Sequence, residues 1–351
     1  MSQLQDVTER HRFDVARLAD FLEDKLPDWA GPLDVKQFQG GQSNPTYLLT
    51  TPSRRYVMRS KPGPVAKLLP SAHAVEREFR VMRALGSQGI PVPKVYVLCE
   101  DESVIGRAFF VMEHVEGRIL WDQSLPDSTR AERAAIYDEM NRVIAALHSV
   151  DVAAAGLSDY GKAGNYFTRQ IARWTKQYQA SITEPIEAMD HLIEWLPGHI
   201  PASARDDSQV AIVHGDFRLD NLVFHATEPR IVAVLDWELS TLGHPLSDLA
   251  YNCMPYRLPA DSMEGFEGAD LAALGMPSES EYLAAYCRRT GRDGIKDWDF
   301  YVAFSMFRLS AIAQGIMGRV VAGTANDPHA RTRGARARPL ADAGWALVQK
   351  L

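Results

Sequence analysis

Two aspartates and one asparagine between positions 214 and 238 stand at a spacing that suits phosphoryl transfer. The sequence His-Gly-Asp-Phe-Arg-Leu-Asp-Asn begins at His214, so Asn221 follows Asp216 by five residues, and Asp236 follows Asn221 by fifteen. Phosphoryl transfer uses one carboxylate to orient the attacking hydroxyl and take its proton, while an amide oxygen and a second carboxylate hold Mg²⁺ against the nucleotide phosphates. These side chains indicate a site in which positioning and charge neutralisation supply most of the catalysis.

Short apolar runs around these residues predict the strands that position them. The runs at 210–213, 222–224 and 231–235 fit buried strands, and the polar segment between the last two is typical of a hairpin loop. The hairpin would bring Asn221, just before one strand, close to Asp236, just after the other. The alternative is that each aspartate only ends a strand or caps a turn, as aspartate often does.

Residues 34–115 contain the elements expected of a nucleotide-binding lobe. The segments 35–39 and 46–50 alternate as strands do, and a glycine-rich turn joins them. Glycines let a loop approach phosphates closely and aim backbone N–H groups at them. The candidate cofactor-binding residues of this turn are Gly40, Gly41, Gln42, Ser43 and Asn44. The turn has neither Gly-x-Gly-x-x-Gly nor a Walker A sequence, so an ordinary hairpin turn is the alternative.

The run from His214 to Asp236 resembles the aminoglycoside phosphotransferase and choline kinase group, relatives of the protein kinases in which His-Gly-Asp replaces His-Arg-Asp. The resemblance implies Asp216 as the catalytic base, Asn221 and Asp236 as Mg²⁺ ligands, and ATP as the phosphoryl donor. It also implies that Asp248 is a buried carboxylate that braces the catalytic loop. As an alternative, Asp248 interacts only with the dipole at a helix N-terminus.

The acceptor site is implied only in outline. Arg218 lies inside the catalytic loop and is a catalytic candidate for an electrostatic role, although it could equally be a solvent-facing charge. By analogy with the family, the acceptor binds in the helical lobe facing Asp216. Polar and aromatic candidates there are Tyr166, Arg169, Arg173, Trp174, Tyr251, Tyr256, Arg308 and Gln314.

The resemblance also implies a basic strand residue that contacts the nucleotide phosphates and pairs with a helix glutamate. Arg59 occupies the place of the more usual lysine, with Glu78 as its expected partner, and Lys61 on the same strand face could share the role. Arginine keeps the charge, but its planar fork differs from the point charge of lysine. Backbone groups of Glu113 and Val115 would bind adenine. The alternative for Arg59 and Glu78 is a surface salt bridge of little energetic weight.

The extent of the resemblance predicts a bilobal, protein-kinase-like α+β fold with a small antiparallel-sheet N-lobe and a mainly helical C-lobe. Residues 1–115 would form the nucleotide-binding lobe with an N-terminal helix, and residues 116–351 the lobe that carries the catalytic loop and acceptor site. Ser128 is the expected N-cap of the first long helix of the second lobe. Apolar periodicity predicts helices at 74–85, 129–149, 165–182, 185–196, 246–254, 278–291 and 297–319.

One subgroup is more similar than the rest. The runs at 41–46, 111–119 and 159–166 look like the kinase-like modules fused to acyl-CoA dehydrogenases in some animal proteins. This similarity implies a small-molecule hydroxyl acceptor such as a hydroxyacyl-CoA or a hydroxy acid. It also implies a functional association with an acyl-CoA dehydrogenase.

The amino-acid composition narrows the classes of protein to which the chain can belong. Hydrophobic residues make up 46% of the 351 residues and charged residues 24%, as in ordinary globular proteins. The net charge of −7 argues against nonspecific nucleic-acid binding. Cys99, Cys253 and Cys287 are far apart with no Cys-x-x-Cys, which predicts a reduced, cytoplasmic setting. No apolar run of transmembrane length is expected, so no membrane partner is predicted.

Other functions stay open at this level. A catalytically inactive nucleotide-binding regulator is favoured by Arg59 and disfavoured by the intact Asp216, Asn221 and Asp236. A metal-dependent hydrolase would use His214, Asp216, Asp236, His244 and Asp248. A protein kinase is disfavoured, because the 11 residues between Asp236 and Asp248 are too few for an ordinary activation loop.

Overall fold

The structure, a computed structural model of the chain, describes residues 4–39, 44–63, 74–162, 164–205, 209–260, 265–325 and 327–351. The chain separates into two compact units. The first comprises Met1–Ile119, Ala155–Leu157 and Leu222–Glu238, and the second comprises Leu120–Ala154, Ser158–Asn221 and Leu239–Leu351. The first division lies four residues beyond the predicted boundary at 115, and the segment 222–238, predicted in the second lobe, groups with the first unit.

A six-stranded antiparallel sheet forms the centre of the first unit. Its strands are β1 Leu4–Gln5, β2 Asp34–Phe38, β3 Thr46–Thr50, β4 Arg55–Ser60, β5 Val95–Cys99 and β6 Phe109–Glu113. They are hydrogen-bonded in the order β1-β2-β3-β4-β6-β5, and each pairing is antiparallel. The helices of this unit are α1 Val15–Leu22, α2 Val75–Ser87 and α3 Glu102–Ile105.

The alternation of side chains along β4 decides which face of the sheet carries charge. Tyr56 and Met58 are fully buried in an apolar cluster with Leu18 of α1. Because neighbouring residues of a strand point to opposite faces, Arg59 lies on the other face. That face packs against α2, where the ring of Phe79 contacts the ring of Phe110, the residue paired with Arg59 across the ladder. The sheet therefore positions Arg59 beneath α2.

The predicted hairpin forms. The remaining strands are β7 Arg118–Ile119, β8 Ala211–Val213, β9 Leu222–Phe224, β10 Ile231–Val234 and β11 Thr241–Gly243. In the first unit, β9 pairs antiparallel with both β10 and β7. In the second unit, β8 pairs antiparallel with β11. The register places Leu222 opposite Val234.

The described part of the second unit is mainly helical, as predicted. Its helices are α4 Arg130–His148, α5 Tyr166–Gln179, α6 Glu187–Gly198, α7 Pro245–Cys253, α8 Leu271–Leu274, α9 Glu279–Thr290, α10 Trp298–Val321, α11 Ala330–Ala335 and α12 Ala337–Val348. The long helix α10 packs against α5, α7, α11 and α12. The prediction of an α+β class, with an antiparallel sheet first and helices after it, is confirmed.

The predicted N-cap of α4 was wrong by one residue. Thr129, not Ser128, has extended backbone angles and accepts a hydrogen bond from the N–H of Glu132. Serine and threonine are both favourable N-cap residues, so the sequence alone did not decide between them.

Helix α10 corrects the expectation that no segment reaches transmembrane length. It is long and apolar enough to cross a membrane by length and composition, and 78% of its most apolar stretch is buried inside the structure. Burial of this kind is what a central helix of a bundle requires, because such a helix is apolar on every side.

Candidate active site

The loop that follows β8 in the second unit holds the predicted catalytic base. Gly215 in this loop has φ +85°, a conformation that side-chain-bearing residues rarely adopt. A Cβ atom added to Gly215 would lie 2.8 Å from the carbonyl oxygen of Leu239, so only glycine fits here without displacing backbone. The sharp turn carries the chain from buried His214 to Asp216, whose side chain is 24% exposed. The turn therefore places an accessible carboxylate directly after a buried strand.

Asp248 braces this loop. Its carboxylate, 1% exposed near the start of α7, accepts hydrogen bonds from the backbone N–H groups of His214 and Gly215, the latter at 2.8 Å. His148 Nε2 lies 3.5 Å from the same carboxylate. Burial by itself raises the pKa of Asp248, but the hydrogen bonds and positive charges around it outweigh burial and hold the pKa below its usual value. Asp248 therefore acts as an ionised acceptor that fixes the loop.

We expect Asp248→Asn to lower the free energy of unfolding by about 2–4 kcal/mol, because an amide offers one oxygen where two buried N–H groups need acceptors. Urea unfolding followed by circular dichroism would measure the loss. Asp342→Asn is the matched control, since Asp342 is an exposed residue of α12. Equal stability of the two variants would show that Asp248 does not brace the loop.

Asp216 is oriented by two hydrogen-bond donors, one on each carboxylate oxygen. The hydroxyl of Tyr251 on α7 donates to Oδ1 at 2.6 Å, and the side-chain amide of Asn221 donates to Oδ2 at 2.9 Å. Burial raises the pKa of Tyr251, so the phenol stays protonated and remains a donor. The side chain of Asp216 is held in one orientation while staying accessible, as a group that must meet an incoming hydroxyl requires.

Asn221 keeps an oxygen available for a cation. Its amide nitrogen is committed to Asp216, through both the carboxylate and the backbone carbonyl. Among the described residues, nothing donates a hydrogen bond to its Oδ1, and amide oxygens are suitable Mg²⁺ ligands. The donor chemistry of Asn221 therefore fits the metal role that the resemblance implies.

Arg218 lies at the edge of the same loop. Its Nη2 is 2.7 Å from Asp220 Oδ2, and its Nε is 3.5 Å from Asp216 Oδ1. The side chain is 47% exposed. The predicted electrostatic role is therefore compatible with the structure, although Asp220 shares the charge of Arg218.

Five of the eight acceptor candidates gather close to Asp216 or to one another. The guanidinium of Arg308 contacts the rings of Trp174 and Tyr251, and that of Arg173 contacts Trp174. Tyr166 interacts electrostatically with Arg308 and Arg173, and its hydroxyl accepts a hydrogen bond from Ser247 on α7 at 3.3 Å. The cluster comprises Tyr166, Arg173, Trp174, Tyr251 and Arg308.

The other three candidates have different contacts. Arg169 donates to the backbone carbonyl of Lys162, and Gln314 donates to the carbonyl of Ser181 at 2.7 Å. Tyr256 packs edge-on against Phe266, with ring centroids 5.5 Å apart. These contacts are structural, so the structure gives no reason to place these side chains at the acceptor.

In the first unit, Arg59 forms the predicted ion pair and two more. Its Nε is 3.1 Å from Glu78 Oε2, and its Nη2 lies 2.9 Å from Asp236 Oδ1 and 3.0 Å from Glu238 Oε2. The side chain of Glu78 is only 3% exposed, which rules out the alternative of a surface salt bridge. Asn44 also donates a hydrogen bond to Glu78 at 2.9 Å. The sequence pattern missed Glu238, which follows Asp236 by two residues.

Among the described residues of this cluster, carboxylates outnumber cations. One guanidinium faces three carboxylates, and burial, helped by the charges of Asp236 and Glu238 and opposed by Arg59, raises the pKa of Glu78 to about 7. Asp236 has φ +65°, an uncommon conformation for a non-glycine residue and one that marks functional sites. No described residue hydrogen-bonds to its Oδ2. This oxygen fits a divalent cation.

The other predicted nucleotide-binding residues are placed as follows. Glu113 ends β6, and with Val115 it lines a cavity of about 670 Å³ beside the turn Thr51–Arg55. Lys61 does not join Arg59, because its Nζ pairs with Glu76 at 3.0 Å. The predicted loop residues Gly40, Gly41, Gln42 and Ser43 lie outside the described residues.

His244, proposed above as a ligand of a hydrolytic metal, instead caps α7. Its Nδ1 accepts a hydrogen bond from the N–H of Leu246 at 3.3 Å, and its ring stacks on Tyr301. Within the described ranges, no group of three or more His, Cys, Asp or Glu is placed to hold a metal. The hydrolase alternative therefore has no support in this part of the chain.

Capping by a buried neutral histidine predicts a pH dependence of stability. Burial, with the charges of Arg292 and His148, lowers the pKa of His244 from 6.5 to about 3. Between these values the unfolded chain binds a proton that the folded chain does not, so this stabilisation is complete above pH 6.5 and declines as pH falls toward 3. From pH 7 to pH 5 we expect the native protein to lose about 2 kcal/mol more than His244→Asn, which keeps a capping oxygen but cannot titrate. Urea unfolding across this range would measure the difference, and parallel pH curves would contradict the prediction.

Comparison with known proteins gives matches along most of the chain. A model of the phosphotransferase enzyme family matches residues 34–301. Acyl-CoA dehydrogenase family member 10 of Mus musculus is 47% identical over 322 residues, which are 91% of this chain and 30% of that protein. Acyl-CoA dehydrogenase family member 11 of Rattus norvegicus is 44% identical over 351 residues, covering 98% of this chain and 44% of that protein. The chain thus spans less than half the length of these relatives.

Solved structures share the fold. A protein of Ralstonia eutropha, provisionally described as an aminoglycoside phosphotransferase, is 58% identical with a TM-score of 0.88, and the match covers 97% of this chain and 99% of that one. A thermostable mutant of aminoglycoside phosphotransferase APH(4)-Ia, in ternary complex with AMP-PNP and hygromycin B, is 18% identical with a TM-score of 0.60, covering 95% and 99% of the two chains. At 18% identity, the second structure shows only that the two proteins share a fold.

Proposed function

The chain belongs to the phosphotransferase enzyme family, and we propose that it transfers the terminal phosphoryl group of ATP, in the presence of Mg²⁺, to a hydroxyl group of a small molecule. The observation that carries the proposal is the orientation of Asp216, whose two carboxylate oxygens accept hydrogen bonds from Tyr251 and Asn221 in a loop fixed by Asp248. Such a carboxylate orients the acceptor hydroxyl and takes its proton.

The metal is proposed to bind Asn221 and Asp236. Asn221 directly precedes Leu222, which is opposite Val234 in the hairpin, and Asp236 follows Val234 by two residues. Each side chain offers an oxygen to which no described residue hydrogen-bonds. When bound, Mg²⁺ would neutralise charge on the nucleotide phosphates.

Arg59 is proposed to bind the nucleotide phosphates. Glu78 holds its Nε side, and Nη2 faces Asp236, the proposed metal ligand. A guanidinium binds phosphate oxygens well because its N–H groups form a planar fork. The loop 40–44 and the backbone of Glu113 and Val115 are proposed to contact the rest of ATP, and the AMP-PNP complex of a structural neighbour supports a nucleoside triphosphate.

The acceptor is proposed to be a hydroxyacyl-CoA or a hydroxy acid. The names of the relatives that match nearly the whole chain support an acyl compound, and they also support association with an acyl-CoA dehydrogenase. A cytoplasmic location is part of the same proposal, consistent with three free, buried cysteines.

An ATP-consumption screen would test this function. Purified protein with Mg²⁺ and ATP would be offered hydroxyacyl-CoAs, free hydroxy acids, choline-like alcohols, sugars and aminoglycosides, with product phosphorylation verified by mass spectrometry. We expect turnover with an acyl compound that disappears when Mg²⁺ is chelated. Turnover confined to aminoglycosides would refute the acyl acceptor, and none with any alcohol would refute the phosphotransferase.

A nucleotide-binding regulator is the second candidate, because Arg59 replaces the family's usual lysine and is tied to both Asp236 and Glu238. Calorimetry with the non-hydrolysable analogue AMP-PNP distinguishes the two. Mg²⁺-dependent binding without turnover across the whole screen would favour the regulator.

A further inference from the structure

Two arginines of the second unit share one tryptophan ring, and no acidic residue in the described part of the chain pairs with either of them. The guanidinium carbon of Arg308 lies 5.6 Å from the ring centroid of Trp174, and that of Arg173 lies 5.2 Å from it. Neither arginine forms a salt bridge with a described residue. Burial and the positive charge of Arg308 lower the pKa of Arg173, so the two guanidinium groups repel each other and a bound anion would offset the repulsion.

Arg308 is the more unusual of the pair, because it is buried. It is 7% exposed on α10, and its Nη2 donates to the backbone carbonyl of Gly215. A guanidinium has five N–H donors, and the others make no hydrogen bond with a described residue. Its Nε and Nη1 atoms are nevertheless reached by solvent, because neither atom is fully buried. Open donors on a buried cation mark a place where an anion can bind.

The nearby carboxylates are already engaged. Asp216 accepts hydrogen bonds from Tyr251 and Asn221, and Asp248 accepts them from two backbone N–H groups of the catalytic loop. Aromatic faces partly stabilise the guanidinium of Arg308, with the Tyr251 ring centroid at 5.5 Å, but rings carry no net charge. Neither carboxylate lies within ion-pair distance of Arg308 or Arg173, so no described acidic residue pairs directly with this cluster.

Tyr251 links this positive cluster to the catalytic carboxylate. Its hydroxyl is 2.6 Å from Asp216 Oδ1, while its ring faces Arg308. Arg308 also binds the carbonyl of Gly215, the residue before Asp216. An acceptor with its hydroxyl at Asp216 would therefore place groups a few bonds away beside Arg308 and Arg173.

We infer that the acceptor carries an anionic group, a carboxylate or a phosphate ester, a short distance from the hydroxyl that is phosphorylated, and that Arg308 and Arg173 bind it. This rests on the proposed function and narrows it. A cationic, amine-bearing acceptor is repelled by the same pair. Within the proposed acyl class, free hydroxy acids fit the pair, whereas a thioester has no charge at the carbonyl group.

Matched acceptor pairs test the inference during turnover. The pairs differ only in the anionic group: 3-hydroxybutanoate with its methyl ester, and glycerol 3-phosphate with glycerol. We expect kcat/KM to be at least about 10-fold higher for the anionic member, and Arg173→Met to lower that value by about 10- to 100-fold, mainly through KM. Lys176→Met, which removes one charge from an exposed residue of the same helix, should leave it unchanged. Equal use of both members by the native protein would overturn the inference.

A binding measurement needs no turnover and separates the two proposals. Thermal unfolding in sodium sulfate is compared with unfolding in sodium chloride at equal ionic strength. Sulfate should raise the unfolding temperature of the native protein and of Lys176→Met more than that of Arg173→Met. The side chain of Arg173 is exposed, so it can be removed without opening the core. If sulfate stabilises the protein through Arg173 but no alcohol is phosphorylated, the proposed function is wrong and the anion site is supported. Equal gains in all three proteins would overturn the anion site itself.

Discussion

Asp216→Asn is expected to lower kcat by about 10³-fold or more while leaving the fold and nucleotide binding intact. Asparagine has the same shape, so the hydrogen bond from Tyr251 to the remaining oxygen is retained. It cannot take a proton, and its amide nitrogen faces the donor of Asn221. The loss should therefore appear in the chemical step and not in the KM for ATP.

Single-turnover kinetics with the acceptor identified by the ATP-consumption screen would measure this effect. Asp342→Asn is again the control, because it removes one carboxylate from an exposed helix position. Thermal unfolding of both variants would show whether the fold is preserved. An Asp216→Asn protein with native kcat would remove Asp216 from the mechanism and leave the hydroxyl without a base in the described part of the loop.

The sequence was sufficient to predict the hairpin in which Leu222 pairs with Val234, because two apolar runs around a polar segment are typical of such a turn. The pairing of Arg59 with Glu78 was predicted from the family resemblance and not from periodicity. It forms because strand alternation places Arg59 beneath α2 and because Glu78 lies on the buried face of that helix.

Contacts between distant elements could not be predicted in this way. Glu238 reaches Arg59 only because the chain turns sharply at Asp236, and that turn depends on an uncommon backbone conformation. Helical spacing also failed to separate Arg173, which joins the cluster of positive charge, from Arg169, which binds a backbone carbonyl on the same helix. The side of a helix that meets a site is decided by packing against other helices, which one sequence does not reveal.

Arg59→Met is expected to have the second-largest effect, acting on stability and catalysis together. Removal of the guanidinium leaves Glu78, Asp236 and Glu238 without their shared positive charge, and breaking a buried pair in this way costs about 3–5 kcal/mol. The proposed phosphate contact is lost as well, so kcat/KM for ATP should fall by about 10²- to 10³-fold. Arg59→Lys keeps the positive charge and should therefore retain most of the activity that Arg59→Met loses.

The double variant Arg59→Met/Glu78→Gln separates the two effects. Glutamine removes the most deeply buried of the three negative charges while preserving a side chain that Asn44 can bind, so the free energy of unfolding should recover substantially. Catalysis should not recover, because the proposed contact between a guanidinium and the nucleotide phosphates is still missing. Urea unfolding and initial rates at varied ATP would be measured on the same preparations. If activity returned together with stability, Arg59 would act only by neutralising its buried partners, and the nucleotide phosphates would have to be bound by other groups.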